Sequence, residues 1–368
     1  MKDLTTQFDW LEFTVKGVTS EQVIHDLLGL QLGDFNRLKR GRFGYNTQFK
    51  WDQGHLYVLF NTTGETDSDG QLLENPDDSM GIHVLLTGTG CTAYGNIRSI
   101  HSLIMFVIGG VKDHNFSRID LAVDDKRESL LAFSRIYQHA CEGSYTSRWS
   151  KWDEVMSHRS TNNEFIGRTM YFGSQRSDIF CRIYDKALEQ RRAHPDDKDI
   201  PEEWTRMEIV YKKERANLLA EHLTKTALIG TVIRETLNNY LRFTELGTDS
   251  NKSRWKTAAW WNTFIAEAGK LQLTVPKSER SIEDMKDWVE KQISPTLAAI
   301  VTAHDGEVTW FYKMLSGGKN RLKRKHLDAI SKYAKELSEQ YPSTISWPMF
   351  PTGSRIHLPT FRNYTSSV

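Results

Sequence analysis

The sequence predicts an α+β protein with an antiparallel sheet and intervening helices over residues 1–212, a mostly helical region over 213–345 and an extended tail over 346–368. Three observations predict it. Segments that alternate apolar and polar residues, the signature of half-buried strands, recur up to Tyr211. After Lys212, helical spacing takes over. From Tyr341 the chain is rich in Pro, Ser and Thr and shows no period.

In chain order, Asp9–Val15 alternates as a strand, and Thr19–Leu30 opens with Thr-x-x-Gln, a capping box, and is predicted helical. Gly44–Trp51 and His55–Asn61 form a predicted hairpin. The stretch Glu65–Asp78 follows, with six acids and no base, and is expected to be a long exposed hairpin loop. A strand over Ile82–Thr87 ends in Thr87-Gly-Thr-Gly-Cys91. Two glycines there suggest a tight turn or the close approach of another backbone, and the run matches neither phosphate-loop pattern. A helix over Ile97–Ile108, the strand of Asp120, a helix over Glu128–Ala140, a hairpin over Phe165–Asp185 and the strand of Glu208 complete this region. Helices are then predicted over 215–222, 225–238, 254–268, 282–292, 295–302 and 322–340, with Pro295 suited to a first turn. Trp255, Trp260, Trp261 and Phe264 follow helical spacing, which favours core packing over a base-stacking platform.

Three strands carry the chemistry. In Ser117–Asp125, Ile119, Leu121 and Val123 face one side and Arg118, Asp120 and Asp124 the other. In Trp204–Tyr211, Met207 and Ile209 oppose Arg206 and Glu208. Between them, Ile179–Lys186 sets Arg182 and Tyr184 opposite Cys181 and Ile183, and a helical continuation carries Glu189 away from the strand. A polar sheet face is ordinarily just solvated, so one Arg-x-Asp proves nothing. Its repetition on two strands around an Arg-x-Tyr strand points to a site for metal-assisted phosphodiester chemistry. The repetition also hints at an internal duplication, although no tandem repeat is visible.

Composition bounds the alternatives. Hydrophobic residues make up 39% and charged residues 26% of 368, as in folded globular domains. The longest apolar run, Ser102–Val111, is too short to span a bilayer, and the N-terminus has no apolar signal core, so the default location is cytoplasmic with no membrane partner. Cys91, Cys141 and Cys181 lack the spacing of a disulfide framework or zinc site and are expected to be buried fillers. No His pair has ligand spacing, so a metal would be held by carboxylates, which suits Mg2+ or Mn2+. Net charge is +1, yet Lys313–Lys325 holds six bases and no acid. The segment from Trp310 has the pattern of a helix, a glycine turn and a basic second helix, compatible with a helix-turn-helix on the DNA backbone.

The run Tyr171-Phe-Gly-Ser-Gln-Arg-Ser-Asp-Ile-Phe-Cys-Arg-Ile-Tyr-Asp-Lys-Ala-Leu-Glu-Gln190 resembles the replication initiation factor family. That family comprises rolling-circle initiators of small plasmids, relaxases of some conjugative elements and related phage replication proteins. Leu86–Cys91, Arg118–Asp125, Arg206–Ile209 and Gln292-Ile-Ser-Pro-Thr-Leu297 resemble it in the same order, so the likeness covers residues 8 to 305. The resemblance implies a rolling-circle nickase-like catalytic core that nicks one DNA strand at an origin and later rejoins it. It implies Tyr184, at an exposed strand position, as the nucleophile that forms a 5′-phosphotyrosyl intermediate. Asp120, Glu189 and Glu208 match the acidic metal positions, with Asp124 a rival ligand. Arg182 and Lys186 would clamp the phosphate. Arg118 and Arg206 would hold DNA, as would the basic segment of Lys319, Arg321, Lys323, Arg324 and Lys325. The implied partners are origin DNA, duplex and single-stranded hairpin, and a host- or element-encoded helicase; a homodimer stays open. Two other functions stay open on the residues alone: a sequence-specific DNA-binding protein without catalysis, and a metal-dependent nuclease whose nucleophile is water.

Overall fold

A twelve-residue strand, β1 (Leu4–Val15), opens the chain in the computed structural model, which describes residues 4–68, 70, 72–75, 78–271, 282–322 and 324–340. Its Leu11, Phe13 and Val15 are buried on one face, as alternation requires. Thr19 caps α1 (Ser20–Gln22), and Gln22 returns the bond to complete the capping box before a π-helical turn over Val23–Leu27. Strands β2 (Phe35–Leu38), β3 (Thr47–Trp51) and β4 (Leu56–Phe60) follow. The acidic stretch forms an exposed two-stranded hairpin, β5 (Thr62–Thr66) and β6 (Leu72–Glu74). Next come β7 (Ile82–Leu86) and two helices, α2 (Gly88–Ile97) and α3 (Ile100–Gly110). The Thr-Gly-Thr-Gly run is the first turn of α2. A Cβ on Gly90 would lie 2.4 Å from the His55 carbonyl oxygen, so glycine lets this helix start against the neighbouring backbone.

The second half runs β8 (His114–Asp125), α4 (Phe133–Glu142), β9 (Tyr145–Ser147), β10 (Trp152–His158), β11 (Phe165–Phe172), β12 (Ile179–Asp185), α5 (Lys186–Ala193) and β13 (Thr205–Lys212). Then come α6 (Glu214–Leu223), α7 (Ile229–Tyr240), β14 (Leu241–Phe243) and α8 (Ala259–Ala268). Ten strands form one antiparallel sheet in the order β10-β11-β12-β13-β8-β1-β7-β4-β3-β2. The β8–β1 pair divides it into two halves of equal topology. Each half starts with its central strand, enters a helix, lays down outer strands from the edge inward, and closes with a strand beside the first. The repeat is therefore between halves. It does not relate the two Arg-x-carboxylate strands, β8 and β13, which are neighbours in one half.

Apolar residues of both halves, among them Phe13, Leu121, Ile183 and Met207, share one core with α3, α6, α7 and α8. Trp261 and Phe264 are buried in it, as their spacing suggested, and Trp260 packs at its edge. The compact unit extends to Lys277, past the boundary expected at 212, because α6 packs on β8 and β13 and α7 on β1 and β8. A second unit, Ser278–Val368, contains α9 (Ile282–Trp288), a π-helical turn over Val289–Ile293, and α10 (Ser294–Ala303) with Pro295 in its first turn. It also contains α11 (Thr309–Lys319) and α12 (Arg324–Gln340); Gly317 and Gly318, expected to form the turn between two helices, lie inside α11, and the break follows at Asn320. Lys323 and the tail over 346–368 lie outside the described residues. Among the described residues no helix is long and apolar enough to cross a membrane. Cys91 and Cys181 are buried, but Cys141 is exposed near the end of α4, where a filler role does not apply.

Candidate active site

The three chemistry-bearing strands are neighbours, in the order β12-β13-β8. Register pairs Arg182 with Glu208, Tyr184 with Arg206, and Arg206 with Asp124, so their side chains share the face opposite the core. The fourth contributor is β1. Pairing of β1 with β8 slips between Phe8 and Trp10, a β-bulge at Asp9. The bulge leaves Phe8 in the core and aims both Asp9 and Trp10 at the polar face.

The result is a buried ladder of four carboxylates and three guanidinium groups. Arg206, 3% exposed, donates from Nε and Nη2 to Asp124 at 2.7 and 2.8 Å, and from Nη1 to Asp9 at 2.6 Å. Asp124 also accepts from the Trp204 indole at 2.6 Å. Arg118 chelates Asp120 at 2.9 and 2.6 Å. Arg182 donates through Nε to Glu208, while its Nη2 lies 3.6 Å from Asp9 and 3.9 Å from Asp120. The Tyr184 hydroxyl donates to the other Glu208 oxygen at 2.7 Å. Asp120 and Glu208 are fully buried.

Burial dominates the electrostatics. It pushes the Tyr184 phenol well above its usual value, and the adjacent Glu208 pushes it further, so the hydroxyl holds its proton. Asp120 is also raised by burial, against the opposing pull of Arg118. Asp9 is raised to about 7, by burial first and then by the neighbouring charge of Glu208; Arg206 only partly offsets this. Four acids facing three guanidinium groups leave one charge uncompensated, and Asp9 bears that surplus.

Local sequence explains the edges of the site. Tyr184 is next to last in its strand; Asp185 caps α5 by accepting from the Leu188 amide at 2.8 Å, so Lys186 begins a helix directly. Lys186 Nζ sits 5.5 Å from the Tyr184 ring centroid and pairs with Glu189 at 2.5 Å. Asp125 accepts from the Leu130 and Leu131 amides and ties down the loop after β8. Over the ladder opens a cavity of ≈ 1040 Å³, lined by Tyr184, Arg182, Lys186, Tyr171, Trp10 and Trp204 among others, and by Gly88 and Thr89 at the start of α2.

Several sequence expectations change here. Tyr184 is half-buried, not exposed, because β11 and α5 flank it. Arg206, expected to hold DNA, is buried and bonds Asp9 and Asp124 through all three of its guanidinium nitrogens inside the ladder. Arg118 is committed to Asp120. Glu189 stands apart from Asp120 and Glu208, on α5 with its charge paired to Lys186. Among the described residues no three acidic, His or Cys side chains already form a metal-holding group. The donor chemistry nevertheless suits a hard cation: Asp9, Asp120 and Glu208 offer only carboxylate oxygens, and all three surround the Arg182 guanidinium. The sequence reading missed Asp9, Trp10 and Trp204. An acid on the otherwise apolar face of Asp9–Val15 was the available signal for the first.

Comparison with known proteins decides the family. Residues 114–315 match the model of the replication initiation factor family, over more than half of the chain. The chain belongs to the replication initiation factor family. Residues 5–104 of this family member match a second model, the rolling circle replication initiation protein N-terminal domain. The match over residues 5–104 spans the first topological half of the sheet; the match over 114–315 begins with β8, at the start of the second half, and runs on past β13 to residue 315. A curated relative, "Putative DNA relaxase NicK" of Bacillus subtilis (strain 168), is 24% identical over 309 residues, 82% of each chain. A solved rolling circle replication initiator protein from Geobacillus stearothermophilus superposes with a TM-score of 0.61 at 28% identity, covering 74% of this chain and 99% of that one.

Proposed function

We propose that this protein is a rolling-circle initiator or relaxase in which Tyr184 attacks a scissile phosphate of origin DNA. One observation carries the reading. A tyrosine hydroxyl on the wall of an open cavity donates at 2.7 Å to a fully buried carboxylate, Glu208, beside an arginine and a lysine. In this reading the side chains around Tyr184 divide the work of a phosphoryl transfer. Glu208 takes the phenolic proton as the Tyr184 oxygen bonds to phosphorus; the bond to the 3′-oxygen breaks, and that oxygen leaves as a hydroxyl after protonation. Lys186 and Arg182, both on the cavity wall, would hold the phosphate. Phenolate is a better leaving group than an alkoxide, so the 5′-phosphotyrosyl bond retains the energy for rejoining.

A bound Mg2+ or Mn2+ would polarise the non-bridging oxygens and stabilise the charge that develops on them. Asp120 and Glu208 would hold it, joined by Asp9, while Glu189 lines the outer wall of the cavity. We expect nicking to stop in chelator and to return with either ion. We expect a variant lacking all three cysteines to keep its activity, since none of them lines the cavity. Full nicking in chelator would remove the metal from this account.

Origin DNA is the proposed partner, with a helicase following the nick, in the cytoplasm. Lys319 and Arg321 are exposed on the second unit, and α12 begins at Arg324. Replacing Arg321, Lys323, Arg324 and Lys325 with Gln should flatten the salt dependence of duplex binding by about 0.9 in log–log slope per lost phosphate contact. An unchanged slope would mean that this segment does not touch DNA.

A further inference from the structure

The sheet face that carries Tyr184 continues beyond β1 into the first half. Trp10 pairs with Asp120 and Glu12 with Arg118, so they share the catalytic face. Glu12 pairs in turn with Leu85, Thr14 with His83, Tyr57 with Leu85, and Leu59 with His83. In the repeated topology β4 and β7 hold the places of β12 and β13. There Tyr57, Leu59, His83 and Leu85 stand where the second half has its arginines and carboxylates, and all four are buried, with Tyr45 of the loop between β2 and β3 packed among Tyr57, Leu59 and Leu85.

A connected run of rings and cations leads away from the cavity across this face. Trp10 and His55 line the cavity. The His55 ring lies 6.3 Å from that of Tyr57, and the Arg42 guanidinium lies 4.2 Å above Tyr57. Beside Arg42 is Phe43, 64% exposed.

The loop that carries Phe43, between β2 and β3, is built to hold it there. Gly41 donates to Asn46 and Tyr45 to Arg42, at 3.1 and 2.9 Å, and a Cβ on Gly41 would meet the Tyr45 carbonyl oxygen at 2.1 Å. Phe43 has φ +55°, a conformation that glycine or asparagine adopts at less cost, and its ring meets the His83 ring edge-to-face with centroids 5.8 Å apart. Most of this large apolar ring is left in water. Lys39, Arg40 and Arg42 are exposed around it and form no ion pair among the described residues. Of the nearby acids, Glu74 is bonded to Ser20 and Asp78 to Asn61 and the Met80 amide.

We propose that this loop, laid over the buried face, forms a second nucleic-acid contact, a track for the single strand that flanks the nick. Phe43 stacks on a base, and Lys39, Arg40 and Arg42 meet phosphates, in the combination of aromatic platform and basic groove that binds single strands. The proposal rests on the nickase reading, and its test separates the two. Three single-stranded origin oligonucleotides are compared: a core spanning the scissile phosphate with a few nucleotides on each side, and two versions extended on the 5′ or the 3′ side.

For one of the extensions, the wild-type protein should bind more tightly than it binds the core. Phe43→Ser should weaken binding of that extended strand about tenfold. Lys39→Gln with Arg40→Gln should flatten its log–log salt slope by about 1.4, two single-strand phosphate contacts. Nicking and binding of the core should be unchanged in both variants. Equal affinity of the variants and wild type for both extended strands overturns the track, as does an equal loss on the core. A loss seen only when the extension is made duplex overturns the single-strand assignment. Failure of the wild type to nick the core overturns the nickase reading itself.

Discussion

Tyr184→Phe is expected to yield a folded protein that binds origin DNA, nicks none of it and forms no covalent product. The substitution removes one oxygen and keeps the ring between Arg182 and Lys186. It breaks one hydrogen bond to Glu208, a carboxylate that still accepts from Arg182, so the stability loss should be about 1–2 kcal/mol. Tyr171, which pairs with Arg182 across β11 and also lines the cavity, is the proper control: Tyr171→Phe should keep full activity. The assignment of the nucleophile moves to Tyr171 if the two phenotypes are reversed. A Tyr184→Phe protein that nicks without forming an adduct favours the hydrolytic alternative, with water as nucleophile.

Arg206→Met should be the most destabilising single change in the ladder. Its guanidinium is buried and makes three hydrogen bonds at 2.6–2.8 Å to Asp9 and Asp124. Its loss leaves two buried carboxylates without their counter-charge, and Asp9 already carries the surplus acid of the site. Breaking such a pair from one side costs about 3–5 kcal/mol, against far less for removing both partners. Urea unfolding of Arg206→Met should show a loss of that size. Adding Asp9→Asn and Asp124→Asn should restore part of it, a coupling that lost packing alone cannot produce. A loss below about 1 kcal/mol would mean that the ladder is solvated and that Arg206 is free to reach DNA.

Much of this arrangement was legible in the chain itself. Alternation placed Arg182, Tyr184, Arg206, Glu208, Asp120 and Asp124 on polar faces correctly, because a strand buried on one side has its register imposed by its apolar residues. The capping box at Thr19 and the first-turn proline at 295 were local signals that tertiary contacts did not override. Asp9 was hidden for a physical reason: a bulge inverts the alternation after Phe8, and the consequence appears only once β1 pairs with β8. The start of α2 was hidden because Thr-Gly-Thr-Gly has low helix propensity; its glycines are there for close approach to the His55 backbone. Arg206 and Glu208 looked equally available in sequence. Both are buried, and their partners separate them: Arg206 bonds two carboxylates, while Glu208 keeps one oxygen for Tyr184. The duplication was inferred from the wrong pair of strands, since similar Arg-x-carboxylate patterns on β8 and β13 mark neighbours and not repeats.

The most direct measurement is mass spectrometry of the covalent complex. The wild-type protein is incubated with single-stranded DNA of its own element's origin and Mg2+, the protein–DNA product is isolated under denaturing conditions, and the complex is digested with protease and nuclease. The account predicts a single modified peptide, containing Arg182–Lys186, with the nucleotide attached through its 5′-phosphate to Tyr184. A stable adduct on any other residue, or nicked DNA with free 5′-phosphate and no adduct at any time point, would contradict it.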